Sequence, residues 1–589
     1  MKINYDEHIK QVEKILALLK EKSNRYTFLR AIVFVCFLFL VYTNIVQLNY
    51  LYFFMLVLSI VIFIVLVFKH TNIKKQIRYY ENKKEVLDCY LARINDDWSS
   101  FIETGEAYKR EEYFIAKDLD LLGKHSLFQY LNVAKTSLGK QKLASSLTSI
   151  QYSLDEIQAR QNAVKELAND IEFSIEVQTL LMDTNKKDDI QVLNELITKI
   201  ENHITSQHYA WIIRVITLVL MGLSFMQVFG KASASILFLA IVINLAVASI
   251  GGLRYQSYFT IVHSLSESLN HYPHIFHLIE KKNWQSIYLN ETLKDIKAHK
   301  ATQGIEAIHH ISEHIHQRQN AIGYFILNGL FIYDLLCVDE LAKWKKDYGK
   351  DVMKWFDQLG ELEAMLSLAI LPQTKNVTTY PTIIENPLMI DVTNIYHPLM
   401  QEEKSVGNSF QLVHQVNIIT GSNMSGKTTF LRTLGINMVL SFAGGAICAN
   451  HATISYMHVL TSMRIEDELS RGTSTFYAEL KRIKQMIDKS EEDKAICCFI
   501  DEIFKGTNSA DRIVGAKAAI ERLMKENVIV FVSTHDFELC DLEKNFPVSN
   551  YHFKEDYKDK QILFDYHIRL GRSQTTNAKF LLEMVGIIK

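Results

Sequence analysis

The strongest hydrophobic pattern consists of two long apolar runs near the start of the sequence, residues 31–46 and 51–68, neither of which contains an acid or a base. A helix of about 20 apolar residues suffices to cross a bilayer. Basic residues such as Arg30 and Lys69 flank the pair. Since basic residues favour the cytoplasmic side, the pattern predicts a transmembrane hairpin with both ends in the cytoplasm. A buried pair of soluble helices is the alternative.

A second pair of apolar runs, residues 215–229 and 236–250, is joined by a short segment that contains lysine and serine. Arg214 and Arg254 flank this pair, which predicts a second hairpin of the same orientation. Each run is shorter and contains Gly or Ser, so soluble core helices are the alternative. With an even number of spans, we expect a multi-pass protein of the plasma or inner membrane whose C-terminal part lies in the cytoplasm.

Three short apolar runs in the last third of the chain, residues 416–419, 495–500 and 528–533, have the form of buried parallel strands. The first leads into a segment that fits G-x-x-x-x-G-K-[ST] between a strand and a helix. In this pattern the glycines let backbone N–H groups point at phosphates, the lysine adds a positive charge, and the hydroxyl that follows ligates Mg²⁺. The sequence therefore predicts an ATP or GTP site formed by Gly421, Ser422, Asn423, Met424, Ser425, Gly426, Lys427, Thr428 and Thr429.

Acidic and imidazole side chains follow the other two predicted strands. Asp501 and Glu502 end the second strand, and His535 follows the third. We expect Asp501 and Thr428 to hold Mg²⁺ and Glu502 to act as the general base on the attacking water. His535 is predicted to sense the γ-phosphate, and an isolated histidine after a strand is the plainer alternative.

The composition fits a membrane-anchored, largely helical protein of more than one domain. The chain has 589 residues, 48% of them hydrophobic, only 6 prolines, and a mean hydropathy of +0.02. A net charge of −2 gives no general attraction to nucleic acid, whose binding rests on phosphate neutralisation. The 7 cysteines contain no C-x-x-C pair and indicate reduced core residues of a cytoplasmic domain.

Four ordered segments in the C-terminal part resemble motifs of MutS-family ATPases, namely residues 421–435, 469–476, 504–511 and 533–539. Residues 117–143, 158–167 and 327–335 resemble the helical core of the same family. The resemblance implies an ABC-type P-loop ATPase that uses ATP and Mg²⁺ and works as a homodimer. It also implies that Ser474 contacts the γ-phosphate bound by the partner subunit, and that Asn408 lies in the segment that flanks the adenine.

The predicted architecture has three parts. Residues 1–109 carry the first hairpin, residues 110–380 form a MutS-like helical core and lever region interrupted by the second hairpin, and residues 381–589 form the α/β P-loop ATPase domain. Only about a hundred residues precede the core, too few for a mismatch-reading domain and its connector at ordinary domain sizes. We therefore expect a membrane-anchored form without that domain. Its expected partners are the lipid bilayer, DNA in a mismatch-repair-like or other role, and a membrane or DNA-repair protein.

Two other functions are compatible with parts of the sequence. Apolar spans followed by an ATPase resemble half of an ABC exporter, but the signature segment reads Leu-Ser-Arg-Gly-Thr from Leu469, where exporters have Leu-Ser-Gly-Gly-Gln. His310, Glu313 and His314 spell H-x-x-E-H, a zinc hydrolase pattern. No third zinc ligand can be assigned, so an exposed helical face is the favoured interpretation.

Overall fold

The chain divides into two compact units that interleave along the sequence. In this computed structural model the described residues are 5–47, 49–110, 114–149, 152–183, 189–200, 234–265, 268–298, 300–317, 321–464, 475–505, 508–558 and 561–573, with single positions 215, 216, 219, 222 and 226. The helical unit comprises residues 1–92, 172–282 and 293–358. The sheet unit comprises residues 93–171, 283–292 and 359–589. Residues 110–171 and 359–380, predicted to belong to the helical core, are thus grouped with the sheets.

Helices dominate the first two thirds of the chain. Within the described ranges the α-helices are α1 (Tyr5–Val46), α2 (Tyr50–Ile94), α3 (Phe114–Asp118), α4 (Leu127–Leu131), α5 (Ser137–Thr148), α6 (Leu154–Asn169), α7 (Ile171–Leu181), α8 (Asp189–Lys199), α9 (Ala234–Arg254), α10 (Gln256–Leu265), α11 (Tyr272–Lys281), α12 (Ile287–Thr292), α13 (Lys294–Ala298), α14 (Ala301–Gln317), α15 (Ala321–Phe331), α16 (Tyr333–Tyr348), α17 (Val352–Thr374), α18 (Lys427–Phe442), α19 (Thr475–Lys489) and α20 (Ser509–Leu523).

The first two helices pair as a long antiparallel hairpin in the helical unit. They have 42 and 45 residues and extend well beyond the apolar runs. Near the open end the rings of Tyr5 and Tyr90 stack with centroids 5.2 Å apart, and further along Nζ of Lys20 lies 2.7 Å from Oε1 of Glu81. These contacts put early residues of α1 beside late residues of α2, so the apolar runs meet at the closed end.

Aromatic packing forms the centre of the rest of the helical unit. The ring of Phe356 lies edge-on to the rings of Tyr272 and Phe276, at centroid distances of 4.9 and 5.7 Å. All three residues are buried, as is Trp355 beside them in sequence. Residues of α11 and α17 therefore share one apolar core, whose burial is the main force that holds these helices together.

Two sheets form the framework of the sheet unit. The strands are β1 (Thr382–Ile384), β2 (Ile390–Ile395), β3 (Asn408–Gln411), β4 (Val416–Thr420), β5 (His451–Ser455), β6 (His458–Ser462), β7 (Ile496–Asp501), β8 (Val528–Ser533), β9 (Val548–Lys558) and β10 (Gln561–Leu570). The smaller sheet has four strands in the order β1-β5-β2-β3, and the larger has six in the order β10-β9-β4-β8-β7-β6. In the larger sheet β10 pairs antiparallel with β9, and the other neighbours are parallel.

The register of the large sheet aligns the carboxyl ends of its central strands. Ser533 of β8 lies opposite Ile419 of β4 on one side and Asp501 of β7 on the other. All residues of β4 and β8 are buried, as is typical of central strands in a parallel sheet covered on both faces. The segments that follow these three strands therefore emerge at one edge, where ligands of open parallel sheets bind.

A buried arginine joins the helical part of the sheet unit to the end of α18. The guanidinium of Arg160 on α6 forms an ion pair with Glu361, and its Nη1 donates to Oη of Tyr288 at 2.8 Å. Its Nε donates to the carbonyl oxygen of Ala443, one residue beyond α18, at 3.0 Å. A cation at this position satisfies a carbonyl that the end of the helix leaves without an intrahelical partner.

Candidate nucleotide site

The loop between β4 and α18 has the backbone conformation of a phosphate cradle. Gly421 and Gly426 have φ angles of 147° and 110°, a region that favours glycine. Met424 at the tip has a φ of 70° and an exposed side chain. Within the part of the chain that the structure describes, the buried hydroxyl of Ser425 has no hydrogen-bond partner. An unpaired buried hydroxyl is unfavourable, so this loop is suited to a ligand that supplies acceptors.

Lys427 lies folded back over the loop at the start of α18. Its Nζ donates to the carbonyl oxygens of Gly421 and Ser422, at 2.8 Å in each case. Burial lowers the pKa of this ammonium group. The side chain is thereby held inside the turn, where its charge faces the position that phosphates occupy in such loops.

Thr428 and Asp501 bring oxygen ligands together beneath the loop. Oγ1 of Thr428 donates to Oδ2 and Oδ1 of Asp501 at 2.9 and 3.1 Å. The Ser533 hydroxyl donates to Oδ1 of the same carboxylate, as the sheet register requires. A carboxylate and a hydroxyl are the hard oxygen donors that Mg²⁺ prefers, so these residues fit the predicted metal.

Glu502 and His535 meet at the mouth of the loop. Nε2 of His535 lies 2.9 Å from Oδ1 of Asn423 and 3.3 Å from Oε1 of Glu502, while Nζ of Lys505 lies 2.6 Å from Oε2 of Glu502. The hydrogen bond from His535, together with the Lys505 ammonium, lowers the pKa of Glu502 to about 2. The carboxylate is therefore ionised at neutral pH, and its imidazole neighbour is in hydrogen-bond range. The roles of general base for Glu502 and γ-phosphate sensor for His535 stay predictions.

A buried carboxylate from α19 holds the turn that follows Glu502. Glu502 and Phe504 have φ angles of 55° and 57°, which are unfavourable for residues with a Cβ. The backbone N–H of Phe504 donates to Oε1 of Glu479, and the rings of Phe504 and Phe476 pack edge to face at 6.0 Å. Burial raises the pKa of Glu479 to about 7. Neither Glu479 nor this clamp was expected, because no local pattern links residue 479 to residue 504.

A cavity of about 470 Å³ opens beside the cradle. Besides the loop itself, its walls include side chains from the segment before β3 and from β10, namely His397, Met400, Lys404, Ser405, Val406 and Tyr566. The volume is within the range of small-molecule sites. Tyr566 is the aromatic ring that β10 contributes, at a position with a φ of 58°, and it was not among the predicted site residues.

The side chain of Asn408 supports this wall and is not among the cavity-lining residues. Its Nδ2 donates to the carbonyl oxygen of Tyr566 at 3.0 Å, and its Oδ1 accepts from the N–H of Ile568 at 2.8 Å. The pairing of β9 and β10 shifts register between Phe564 and Ile568, so Asn408 fixes the irregular stretch that presents Tyr566. Whether Asn408 also flanks a base stays a prediction.

Some sequence predictions fall outside the described residues. Ser474 and residues 469–473 of the signature segment are among them, as is most of the apolar run 215–229. The second run of that pair lies in α9. The histidines of the H-x-x-E-H pattern lie on α14, where Nδ1 of His310 is 3.7 Å from Oε2 of Glu313 and Nδ1 of His314 is 3.6 Å from Oε2 of Glu340. Among the described residues, His, Cys, Asp and Glu form no group of three that could hold a metal.

The sheet unit matches a known domain family. Residues 417–586 match MutS domain V. The DNA mismatch repair protein MutS of Carboxydothermus hydrogenoformans is 27% identical over 267 residues, which are 43% of this chain and 31% of that protein. The DNA mismatch repair protein MutS of Clostridioides difficile is 32% identical over 210 residues, which are 34% of this chain and 22% of that protein.

The chain thus spans less than a third of the length of these relatives. The matched range begins in β4 and contains the phosphate loop, Asp501, Glu502 and His535. Residues 417–586 are therefore a MutS domain V.

Proposed function

We propose that this protein is a membrane-tethered MutS-like ATPase that binds and hydrolyses ATP at sites completed by dimerisation. The observation that carries the proposal is the convergence of Lys427, the Thr428–Asp501 pair and the Glu502–His535 pair at one edge of a parallel sheet. These groups come from segments after three different strands. Such an arrangement supplies a phosphate cradle, metal ligands and a base to one ligand.

Each group has a distinct role in the proposed reaction. The backbone N–H groups after Gly421 and the Lys427 ammonium bind the phosphates. Thr428 and Asp501 would hold Mg²⁺, which when bound would neutralise developing charge on the phosphate oxygens. Glu502 accepts a proton from the attacking water. His535, which is within hydrogen-bond range of both Asn423 and Glu502, senses the γ-phosphate. Tyr566 and the segment at Val406 form the cavity wall against which the adenine base of the nucleotide would lie.

The proposed dimer and its proposed client rest on the likeness to MutS proteins. The relatives are named DNA mismatch repair proteins, which supports DNA as a candidate client, and the homodimer is what the resemblance to MutS-family ATPases implies. In this arrangement Ser474 of one subunit reaches the nucleotide of the other. ATP then acts as a switch ligand whose different affinity for two dimer states moves the helices attached to the ATPase unit.

Membrane tethering is supported by the exposure of the first hairpin. The most apolar 18-residue windows of α1 and α2 have mean hydropathies of 2.2 and 3.1, with 0% and 6% of their residues buried. A soluble core pair would bury these side chains. The transporter alternative has no comparable support, because the similar proteins are MutS proteins. The chain shares with exporters only the order of apolar spans and ATPase, and such a layout does not by itself indicate function.

The test is ATP turnover by the full-length protein in lipid nanodiscs, with and without homoduplex, mismatched and branched DNA. We expect turnover in the wild type, and loss of turnover with retained nucleotide binding in Glu502→Gln. Lys427→Ala is the matched variant that loses binding as well. Undiminished hydrolysis in Glu502→Gln contradicts the assigned base.

The DNA arm of the same experiment separates the clients. Stimulation by DNA that weakens with salt supports a nucleic-acid client, because phosphate contacts release counterions. An ATP turnover rate that is unchanged by all three kinds of DNA supports a membrane protein or lipid client for the same ATPase.

A further inference from the structure

A second apolar element lies in the helical unit, outside the first hairpin. Helices α9 and α15 are packed side by side in antiparallel orientation. Nδ2 of Asn244 donates to the carbonyl oxygen of Gly329 at 3.0 Å, and Oγ of Ser249 lies 3.4 Å from Oη of Tyr324. Higher numbers on α9 therefore face lower numbers on α15, and α15 covers the half of α9 that ends at Arg254.

The outer faces of both helices are apolar and exposed. On α15 the side chains of Phe325 and Ile326 are 60% and 53% exposed. Neither α15 nor residues 234–253 of α9 contain an acid or a base. The large exposed apolar side chains of α9 are Phe238, Leu239, Val242, Ile243, Val247, Ile250 and Leu253. Contiguous surfaces of this kind are rare on soluble proteins and mark protein or membrane contacts.

The polar groups between the two helices are satisfied internally. Asn244 is only 3% exposed, and its amide bonds to the backbone of the neighbouring helix. At Gly329 an added Cβ would lie 3.1 Å from Cγ2 of Ile241, so the small residue permits close approach. Small residues and an asparagine that bonds across the interface are typical of helix packing in membranes.

The chain turns back sharply after α15. Ile332, between α15 and α16, has a φ of 50° although it is β-branched. The turn is closed by two buried side chains: Nδ2 of Asn328 donates to Oδ1 of Asp334 at 3.1 Å, and the N–H of Asp334 donates to Oδ1 of Asn328 at 3.0 Å. An added Cβ at Gly251 would lie 2.6 Å from Cδ2 of Leu335, so α16 returns along α9 towards Arg254.

We propose that α15 is a re-entrant helix that enters the bilayer from the Arg254 side, packs on α9, and exposes Phe325 and Ile326 to lipid tails. Its 11 residues measure about 16 Å, roughly half of the ~30 Å hydrocarbon core. The turn at Ile332 sends the chain back to the same side. Irregular backbone is tolerated at membrane depth where protein groups satisfy it, as Asn328 and Asp334 do here.

Lipid fits this surface better than a second protein does. The exposed face continues from α15 onto α9, whose 21 residues are long enough to approach the span of a bilayer. A protein interface typically carries a polar rim, whereas α15 and residues 234–253 of α9 hold no acid or base. The inference rests on the proposed membrane tethering and adds to the spanning helices a second kind of membrane contact. This contact is made by a segment that leads through α16 and α17 along the chain to the sheet unit.

Collision accessibility of nitroxide spin labels in nanodiscs tests the proposal. Single cysteines replace Phe325 or Ile326 in full-length protein in which the exposed Cys36 and half-buried Cys89 are changed to serine, because the other five cysteines are buried. Phe54 of the first hairpin serves as the lipid reference, and Ile287, an exposed residue of the sheet unit, as the aqueous reference. We expect oxygen-to-nickel accessibility ratios at 325 and 326 within about twofold of position 54 and ~5-fold or more above position 287.

Other outcomes separate this inference from the tethering itself. If labels at 325 and 326 are as accessible to nickel as the label at 287, while the label at 54 lies in lipid, the re-entrant helix is overturned and the tethering is not. Protection from both reagents overturns it too, in favour of a covering second copy. An aqueous position 54 overturns tethering and the inference together.

A second measurement needs no substitution. Photoreactive lipid probes in the same nanodiscs are expected to label the peptide containing Phe325 and Ile326 in the wild-type protein, at a level within about threefold of the peptide from residues 51–68. Labelling of the hairpin peptide without labelling of the α15 peptide overturns the inference even where a spin-labelled variant fails to fold.

Discussion

The strand β8 and the helix α2 are both continuous apolar segments, yet they have opposite environments. All six residues of β8 are buried between β4 and β7. The most apolar window of α2 has a mean hydropathy of 3.1, and only 6% of its residues are buried. The difference shows that an apolar run by itself specifies removal from water but not the medium that replaces water.

The same division holds for charged groups. The ion pair of Arg160 and Glu361 is buried in the sheet unit, whereas the pair of Lys20 and Glu81 on the hairpin has side chains 57% and 49% exposed. A buried pair is strongly coupled to the packing around it, and an exposed pair is screened by water. The proposed functions correspond to this difference: the buried sheet unit forms a rigid nucleotide site, and the exposed hairpin contacts lipid.

Matched aspartate substitutions give the largest expected contrast. Val530→Asp buries an unpaired charge in the centre of the sheet, at a site with no exposure. The penalty is several kcal/mol, a large part of the roughly 5–15 kcal/mol that stabilises a domain. We expect loss of the folded ATPase unit, measured as loss of the nucleotide-induced rise in melting temperature.

Val57→Asp on α2 is the matched variant. A charge at the centre of a membrane helix opposes insertion by about 2.5–3.5 kcal/mol. We expect a smaller membrane fraction and an unchanged nucleotide-induced shift. If Val57→Asp lowers the nucleotide-induced rise in melting temperature as much as Val530→Asp does, the contrast between the two regions is contradicted.

Arg160 provides the next contrast, for charge instead of apolar surface. Arg160→Ala removes the nearer and more buried cation of the Glu361 carboxylate and leaves it only Lys142, whose Nζ lies 3.6 Å from Oε2. Breaking a buried pair of this kind destabilises by about 3–5 kcal/mol. We expect a lower melting temperature of the ATPase unit, whereas Lys20→Ala on the hairpin should leave it unchanged within error. The double variant Arg160→Met with Glu361→Leu should recover part of the loss, because both buried charges are removed together and the remaining Lys142 is partly exposed to water. A double variant as unstable as Arg160→Ala would show that contacts to Ala443 and Tyr288 dominate.

The parts of the site that the sequence predicted are those encoded in short segments. The loop from Gly421 to Thr428 needs only local glycines, and the strand before Asp501 is recognisable by its apolar run. Their convergence also followed, because the carboxyl ends of parallel strands meet at one edge. In the structure Lys427 bonds to the phosphate loop and Thr428 to Asp501, and their roles toward nucleotide and Mg²⁺ stay predictions.

The parts that escaped prediction depend on contacts between distant segments. Tyr566 reaches the cavity only because Asn408 fixes an irregular stretch of β10, over 158 residues of separation. The clamp of Glu479 on Phe504 joins a helix to a turn with left-handed backbone that no pattern of hydrophobic residues indicates. The same holds for α15: its sequence resembles a core helix, and only its exposed Phe325 and Ile326 point to lipid.

Glu479 gives the smallest expected effect and tests burial through pH. Its folded-state pKa is raised to about 7 by burial, above the ordinary value of 4.5. The folded protein therefore binds this proton more tightly than the unfolded chain, so the stabilisation is fully present below pH 4.5 and is lost as the pH rises through about 7. Relative to Glu479→Gln, the wild type should lose roughly 1–3 kcal/mol of stability between about pH 5 and pH 8.

Melting temperatures of the two proteins across that pH range provide the measurement, and Glu479→Leu is the matched control. Leucine also removes the titration, but it leaves the N–H of Phe504 unpaired, which should destabilise by about 1–3 kcal/mol at every pH. If the difference in melting temperature between wild type and Glu479→Gln is the same at every pH in this range, the Glu479 carboxylate titrates as it does in water. The contrast between a buried sheet unit and an exposed hairpin would then not extend to the carboxylate that holds the turn after Glu502.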